Sequence, residues 1–216
     1  MQKFSLIILL FMSLSFAGTA VELDSFEDGN INEKPSWWIF GASTQEIVNA
    51  DMFRSDPLGQ YLGKKSLKIS GYTNEWYIGG MGHYMTTDAT KVTHLKIYVH
   101  GSGKKSGKIR IQLYDDDNRN YKIEQDEAND YVPLFDDRFE YVLKVNWTGW
   151  KMLHIALADF KDTNPKVGDN TWNPNTKNGS GGLLHFQLIY LAEEEKGNIN
   201  VYLDNIKLVH IKKKDK

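Results

Sequence analysis

Apolar residues in this sequence recur at every second position in short runs. Leu95, Ile97 and Val99 alternate with Lys96, Tyr98 and His100, and Ile109, Ile111 and Leu113 alternate with Arg110, Gln112 and Tyr114. A period of two places successive side chains on opposite faces of an extended chain, so each run predicts a strand with one buried face. Further strand-like runs are Ser66–Ser70, Trp76–Ile78, Phe139–Val145, Met152–Leu157, Leu183–Leu191 and Asn200–Val209. Turn-forming residues separate them at Gly101–Gly103 with Gly107, Asp115–Asn120, Asn146–Gly149 and Gly197–Asn198. Sustained 3.6-residue periodicity is missing; Ala156–Asp162 predicts a single helical turn at most. The pattern predicts an all-β chain folded as an antiparallel β-sandwich.

The 216-residue sequence contains no cysteine, which excludes thiol catalysis, cysteine-based metal sites, a lipid-modified cysteine and disulfides. The sandwich must therefore be held by its own core. Lys3, the apolar run Phe4–Phe16 and the small residues Ala17, Gly18, Thr19 and Ala20 predict a signal peptide over 1–20, cleaved after Ala17 or Ala20. That run is too short to cross a bilayer, and no membrane anchor is expected. The expected organisation is a signal peptide, one sandwich domain over 21–211 and a basic tail over 212–216, with the protein exported to a periplasm. A formal charge of −2 argues against nucleic-acid partners.

Two loops are long for a sandwich, Asp126–Arg138 and Lys161–Gly182. If strands alternate in direction, both lie at one end, opposite the turn at Asn146–Trp150.

Catalytic motifs are not evident: the histidines at 83, 94, 100, 154, 185 and 210 form no HxxxH pair, and no GxSxG or Walker loop occurs. His94, His154 and His185 fall in or beside strands and read as packed or surface residues. Asp116, Asn118, Asn120 and Glu127 sit at EF-hand ligand spacing, but Tyr121 stands where that loop needs glycine, which favours a turn. Glu27 and Asp204 are candidates for a structural calcium site tying the first and last strands together, against ordinary strand-edge acids; no other cofactor is expected. With 6 Trp and 11 Tyr, some aromatic rings must be exposed and available for stacking on a sugar or a protein surface. Trp37, Trp76 and Trp150 are expected in the core. Trp172, among polar residues, is the expected contact ring, joined by Tyr131 and Phe135 in the other long loop.

Leu23–Asn30 (LDSFEDGN) and Val201–Leu208 (VYLDNIKL) resemble the first and last strands of jelly-roll carbohydrate-binding modules. Four further blocks resemble the spirochaete flagellar filament outer layer (sheath) protein family, FlaA: Trp38–Ser43 (WIFGAS), Leu95–Tyr114, Asn146–Leu153 (NWTGWKML) and Val201–Val209. That resemblance implies a non-enzymatic sheath component of the periplasmic flagellum, with the flagellin core filament and other sheath proteins as partners. The first resemblance implies the alternative, an exported carbohydrate-binding protein using exposed aromatics.

Overall fold

In the computed structural model, residues 20–53, 56–59 and 62–212 are described. Residues 1–19 of the expected signal peptide and all but the first residue of the basic tail lie outside these residues.

Fourteen strands are present among the described residues: β1 (Ala20–Asp24), β2 (Trp37–Gly41), β3 (Thr44–Asn49), β4 (Lys65–Thr73), β5 (Tyr77–Thr87), β6 (His94–Ser102), β7 (Lys108–Asp115), β8 (Gln125–Asp126), β9 (Val132–Pro133), β10 (Asp137–Lys144), β11 (Thr148–Ala156), β12 (Lys161–Asp162), β13 (Leu183–Leu191) and β14 (Gly197–Val209). One six-stranded sheet runs β11-β6-β14-β4-β3, with β1 added against β14. The other runs β12-β10-β7-β13-β5-β2, and β8 and β9 form a small separate ribbon. Every strand pair is antiparallel. The expected sandwich is the observed one, and the single helical turn appears as a 3-10 turn at Leu157–Asp159.

Alternation explains the layering. Leu67, Ile69, Leu95, Ile97, Val99, Val201 and Leu203 from the first sheet meet Ile109, Ile111, Leu113, Phe186, Leu188 and Tyr190 from the second, all fully buried. The central strand β14 pairs with β6 along one edge, and along the other with β4 and then β1. A bulge after Asp204, with Asn205 at φ 47°, adds a residue to one strand and keeps Ile206 and Leu208 inward. The first and last strands are thus neighbours, as the terminal-strand argument expected.

The outer faces of the two sheets differ. On the β14 sheet, the segment that carries Phe53, Leu58 and Leu62 packs over Tyr98, Trp150 and Tyr202 as a second small core. Trp37 and Trp150 are buried, whereas Trp76 is 54% exposed and so departs from its expected core position. Trp76 precedes β5 by one residue, beyond the stretch where the pleat can direct a ring inward.

The long loops do share one end. Asn164 Nδ2 donates to the Asp136 carbonyl at 2.8 Å, and its Oδ1 accepts from Arg138 N–H at 2.8 Å. The turn at Asn146–Trp150 sits at the far end, where Gly149, the second residue of β11, takes φ 85°.

Leu203→Ala should lower unfolding free energy by about 2–5 kcal/mol, because the residue is wholly buried between the sheets. Val142→Ala, at a position 47% exposed, should stay within about 0.5 kcal/mol of the parent in the same urea titration.

Candidate functional site

The outer face of the β7–β13 sheet is built in three cross-strand rows set by register. Arg138, Tyr114, His185 and Tyr84 stand opposite one another in the first row. Glu140, Gln112, Gln187, Gly82 and Trp38 form the second, and Val142, Arg110, Ile189, Gly80 and Phe40 the third. All are the off-core partners of the buried alternation, so strands that make the core also build this face, in which Tyr114 and Gln112 are themselves buried.

Two glycines shape it. A Cβ on Gly82 would collide with the Trp38 ring, and one on Gly80 with the Phe40 ring. The edge strand β2 therefore lays its aromatics inward across β5 instead of projecting them into solvent. The Trp38 ring meets the His185 ring edge-on at 5.1 Å, and Tyr84 and Tyr114 approach the same imidazole at 5.7 and 5.4 Å. Trp38, Trp76 and Tyr84 remain 37%, 54% and 45% exposed, so the platform is accessible. The Arg110 guanidinium lies 5.8 Å from the Trp76 ring centre, and Trp76 leans on Tyr77.

Beside the rings runs a polar network. Tyr114 Oη donates to Gln112 Oε1 at 2.9 Å, and Gln112 Nε2 donates to Glu140 Oε1. Glu140 is flanked by two guanidinium groups, Arg138 Nε at 3.2 Å and Arg110 Nε at 3.7 Å. Burial pushes the Tyr114 phenol up to about 12, which keeps it a donor. Burial, followed by the nearby His83, pulls His185 down to about 4, so at neutral pH its ring is uncharged and offers one donor and one acceptor. Tyr84 Oη donates to the Tyr121 carbonyl at 3.0 Å, fixing one ring against the loop after β7. Flat rings flanked by immobilised polar groups suit a ligand with apolar faces and hydroxyl edges.

The expected contact residues distribute unevenly. Tyr131 and Phe135 are 58% and 52% exposed in the loop between β7 and β10. Trp172 is half-buried, packed edge-on against Phe139 at 5.4 Å, with its Nε1 unpartnered. The polar segment around it suggested exposure, but the loop folds back onto the core and corrects that position. Asp116 and Asn118 both accept the Asn120 N–H, so that segment is the turn favoured over a calcium loop. His185, Tyr84, Tyr114 and Glu140 were not singled out from sequence; their signal was the off-core phase of the alternation, which does not say which of two outer faces is open.

For the candidate calcium pair, Asp204 is fully buried, its Oδ2 accepting from Ser66 Oγ at 2.8 Å and its Oδ1 unpartnered. Burial raises it to about 7, helped by Glu27 and Asp24. Glu27 is therefore near, but both its oxygens accept backbone N–H groups, Lys64 at 2.8 and 3.0 Å and Lys65 at 3.0 Å. Carboxylates that do converge, Asp117, Asp137 and Asp169, lie at the long-loop end.

No protein-family model matches the chain, and no curated protein matches it. Solved structures do match. The family 11 carbohydrate-binding module of the cellulosomal cellulase Lic26A-Cel5E of Clostridium thermocellum is 16% identical, with a TM-score of 0.52 over 93% of this chain and 99% of that one. The family 11 module from Clostridium thermocellum in complex with a β-1,3-1,4-mixed-linked tetrasaccharide is 17% identical, with a TM-score of 0.50 over 88% of this chain and 95% of that one. An agarase, AgWH50C, matches at 10% identity and a TM-score of 0.53, over 92% of this chain and 25% of the agarase. The fold is thus that of the β-sandwich carbohydrate-binding modules. The flagellar sheath resemblance finds no support in a family match. The blocks that carried that resemblance fall in β2, in β6 and β7 of opposite sheets, at the start of β11 and in β14, all structural strands and turns of the sandwich.

Stability should report the neutral state of His185. Its native value of about 4 lies below the ordinary 6.5, so between those values the unfolded chain binds the extra proton and stability falls as pH drops. His185→Gln should therefore lose less of its urea midpoint between pH 7 and pH 5 than the parent does.

Proposed function

We propose that the protein is a non-catalytic, exported glycan-binding protein that receives an extended polysaccharide chain on the outer face of the β7–β13 sheet. The observation that carries this is the platform itself: Trp38, Trp76 and Tyr84 exposed beside His185, Gln187 and the Tyr114–Gln112–Glu140 network. Sugar rings offer C–H faces to aromatic planes and hydroxyl edges to polar groups held in one orientation. The outward positions of β5, β7, β10 and β13 carry a single carboxylate, Glu140, flanked by two arginines. Glycoside hydrolysis by the usual route needs a pair, one of them able to donate a proton. Export follows from the expected signal peptide, and no described helix is long and apolar enough to cross a membrane.

A second reading keeps the sheath function. Tyr131, Leu134 and Phe135, each between 46% and 58% exposed, form an apolar stretch in the loop between β7 and β10 and suit contact with a filament neighbour. Retention of the protein on purified periplasmic flagella, lost in Tyr131→Ala/Phe135→Ala, is the outcome that reading requires.

The glycan reading is tested by affinity electrophoresis against a mixed-linkage β-glucan, xylan and agarose. Trp38→Ala and Trp76→Ala should each weaken binding to the retained glycan at least tenfold, about 1.4 kcal/mol or more, with little change in melting temperature. Met152→Ala, at a position 41% exposed on the other sheet, should bind as the parent does. Retention unaffected by either tryptophan change would sink the proposed face.

A further inference from the structure

Three chain segments converge at the long-loop end of the β7–β13 sheet, and each brings an aspartate to one point. Asp117 follows β7, Asp137 opens β10, and Asp169 lies in the connection from β12 to β13. One carboxylate oxygen from each lies within 4.8 Å of the other two. Asp137 is completely buried, and its Oδ1 has no hydrogen-bond partner; only its Oδ2 is engaged, accepting Thr171 N–H at 3.1 Å. That free oxygen and Asp117 Oδ2 both face the backbone of Gly168, where a Cβ would collide with each. Gly168 takes φ 69° and carries the chain past the carboxylates one residue before Asp169.

The surroundings make the convergence costlier. Asp115, Asp116 and Asp136 are also buried, and Asp136 Oδ2 is a second unpartnered oxygen. Among the described residues no lysine, arginine or histidine forms an ion pair with any of these carboxylates. Burial, and then the neighbouring aspartates, raise Asp137 to about 7, Asp117 to about 6 and Asp115 to about 8. Buried carboxylates without a counter-charge are destabilising by several kcal/mol, and the general remedies are a proton or a cation.

We propose that Asp117, Asp137 and Asp169 bind a calcium ion that fastens the three segments together. The donors are all oxygens, with no imidazole or thiolate, which selects a hard cation over zinc or copper. Calcium fits better than magnesium, since carboxylates from three separate segments, one of them exposed, give an adjustable shell with room for backbone carbonyls and water. The ion would hold the loop bearing Trp172 against Phe139, and the segment leading to Tyr121, whose carbonyl anchors Tyr84. This site is separate from the Glu27–Asp204 pair, and it stands whether or not the outer face binds a glycan.

The test uses the mature protein stripped with a chelator, then melted in calcium, in magnesium and in neither, with calorimetric titration of calcium alone. Calcium at about one hundred times its dissociation constant should raise the melting temperature by roughly 5–10 °C. Asp137→Asn should abolish the rise. Asp169→Asn, an exposed change that leaves the core untouched, should weaken calcium binding at least tenfold, so the result does not depend on Asp137→Asn folding. Glu27→Gln should keep the full response. No heat and no shift with calcium would overturn the proposal. So would an undiminished response in Asp169→Asn, or a response lost in Glu27→Gln alone. An equal or larger shift with magnesium would overturn the choice of ion.

Discussion

The layer of apolar side chains between the two sheets is the constraint on which the rest of the structure depends. Without a single cysteine, the chain has no covalent tie, and the burial of Ile109, Ile111, Leu113, Phe186 and Leu188 against Leu95, Ile97, Val99, Val201 and Leu203 supplies the cohesion. Because strands have a period of two, committing one face to this layer commits the other face as well. Arg110, Gln112 and Tyr114 point outward for no reason other than that Ile109, Ile111 and Leu113 point inward. The binding platform is the complement of the core.

Function then depends on which outer face stays open. One is occupied by the segment around Phe53 and Leu62, which packs on Trp150 and Tyr202. The other is kept accessible, and its edge strand folds Trp38 and Phe40 over Gly82 and Gly80, so the rings lie along the sheet. The polar partners are held before any ligand arrives: Tyr114 bonds Gln112, Gln112 bonds Glu140, and two arginines flank Glu140. A platform organised in advance loses little freedom on binding.

The acidic end sets the opposite tension. Asp115, Asp116, Asp136 and Asp137 are buried, although burying an anion costs more than any one of the surrounding hydrogen bonds returns. Much of the cluster is used structurally: Asp115 accepts Asn173 N–H at 2.9 Å, Asp116 accepts Gly181 N–H at 2.5 Å, and Asp136 accepts Asp117 N–H at 3.1 Å. These bonds shape the long loops. They leave Asp136 Oδ2 and Asp137 Oδ1 buried without partners, which is why this end differs from ordinary acidic surface.

Sequence by itself determined the strands with clean alternation, β6, β7, β13 and β14, because an apolar residue at every second position has only one compact solution. It also fixed the shared end of the long loops and the pairing of the terminal strands, through alternating strand direction. It did not reveal β2 and β3, or most of β5, whose Gly79, Gly80 and Gly82 look like punctuation. Only the tertiary structure shows that two of those glycines are smooth ground for aromatic rings from β2. Likewise the aromatic count announced exposed rings, but not that Trp76 would be outside and Trp172 packed on Phe139. Alternation assigns a side chain to one of two faces. Which face meets another sheet, which is covered and which is left to bind is settled by packing between segments far apart in the chain.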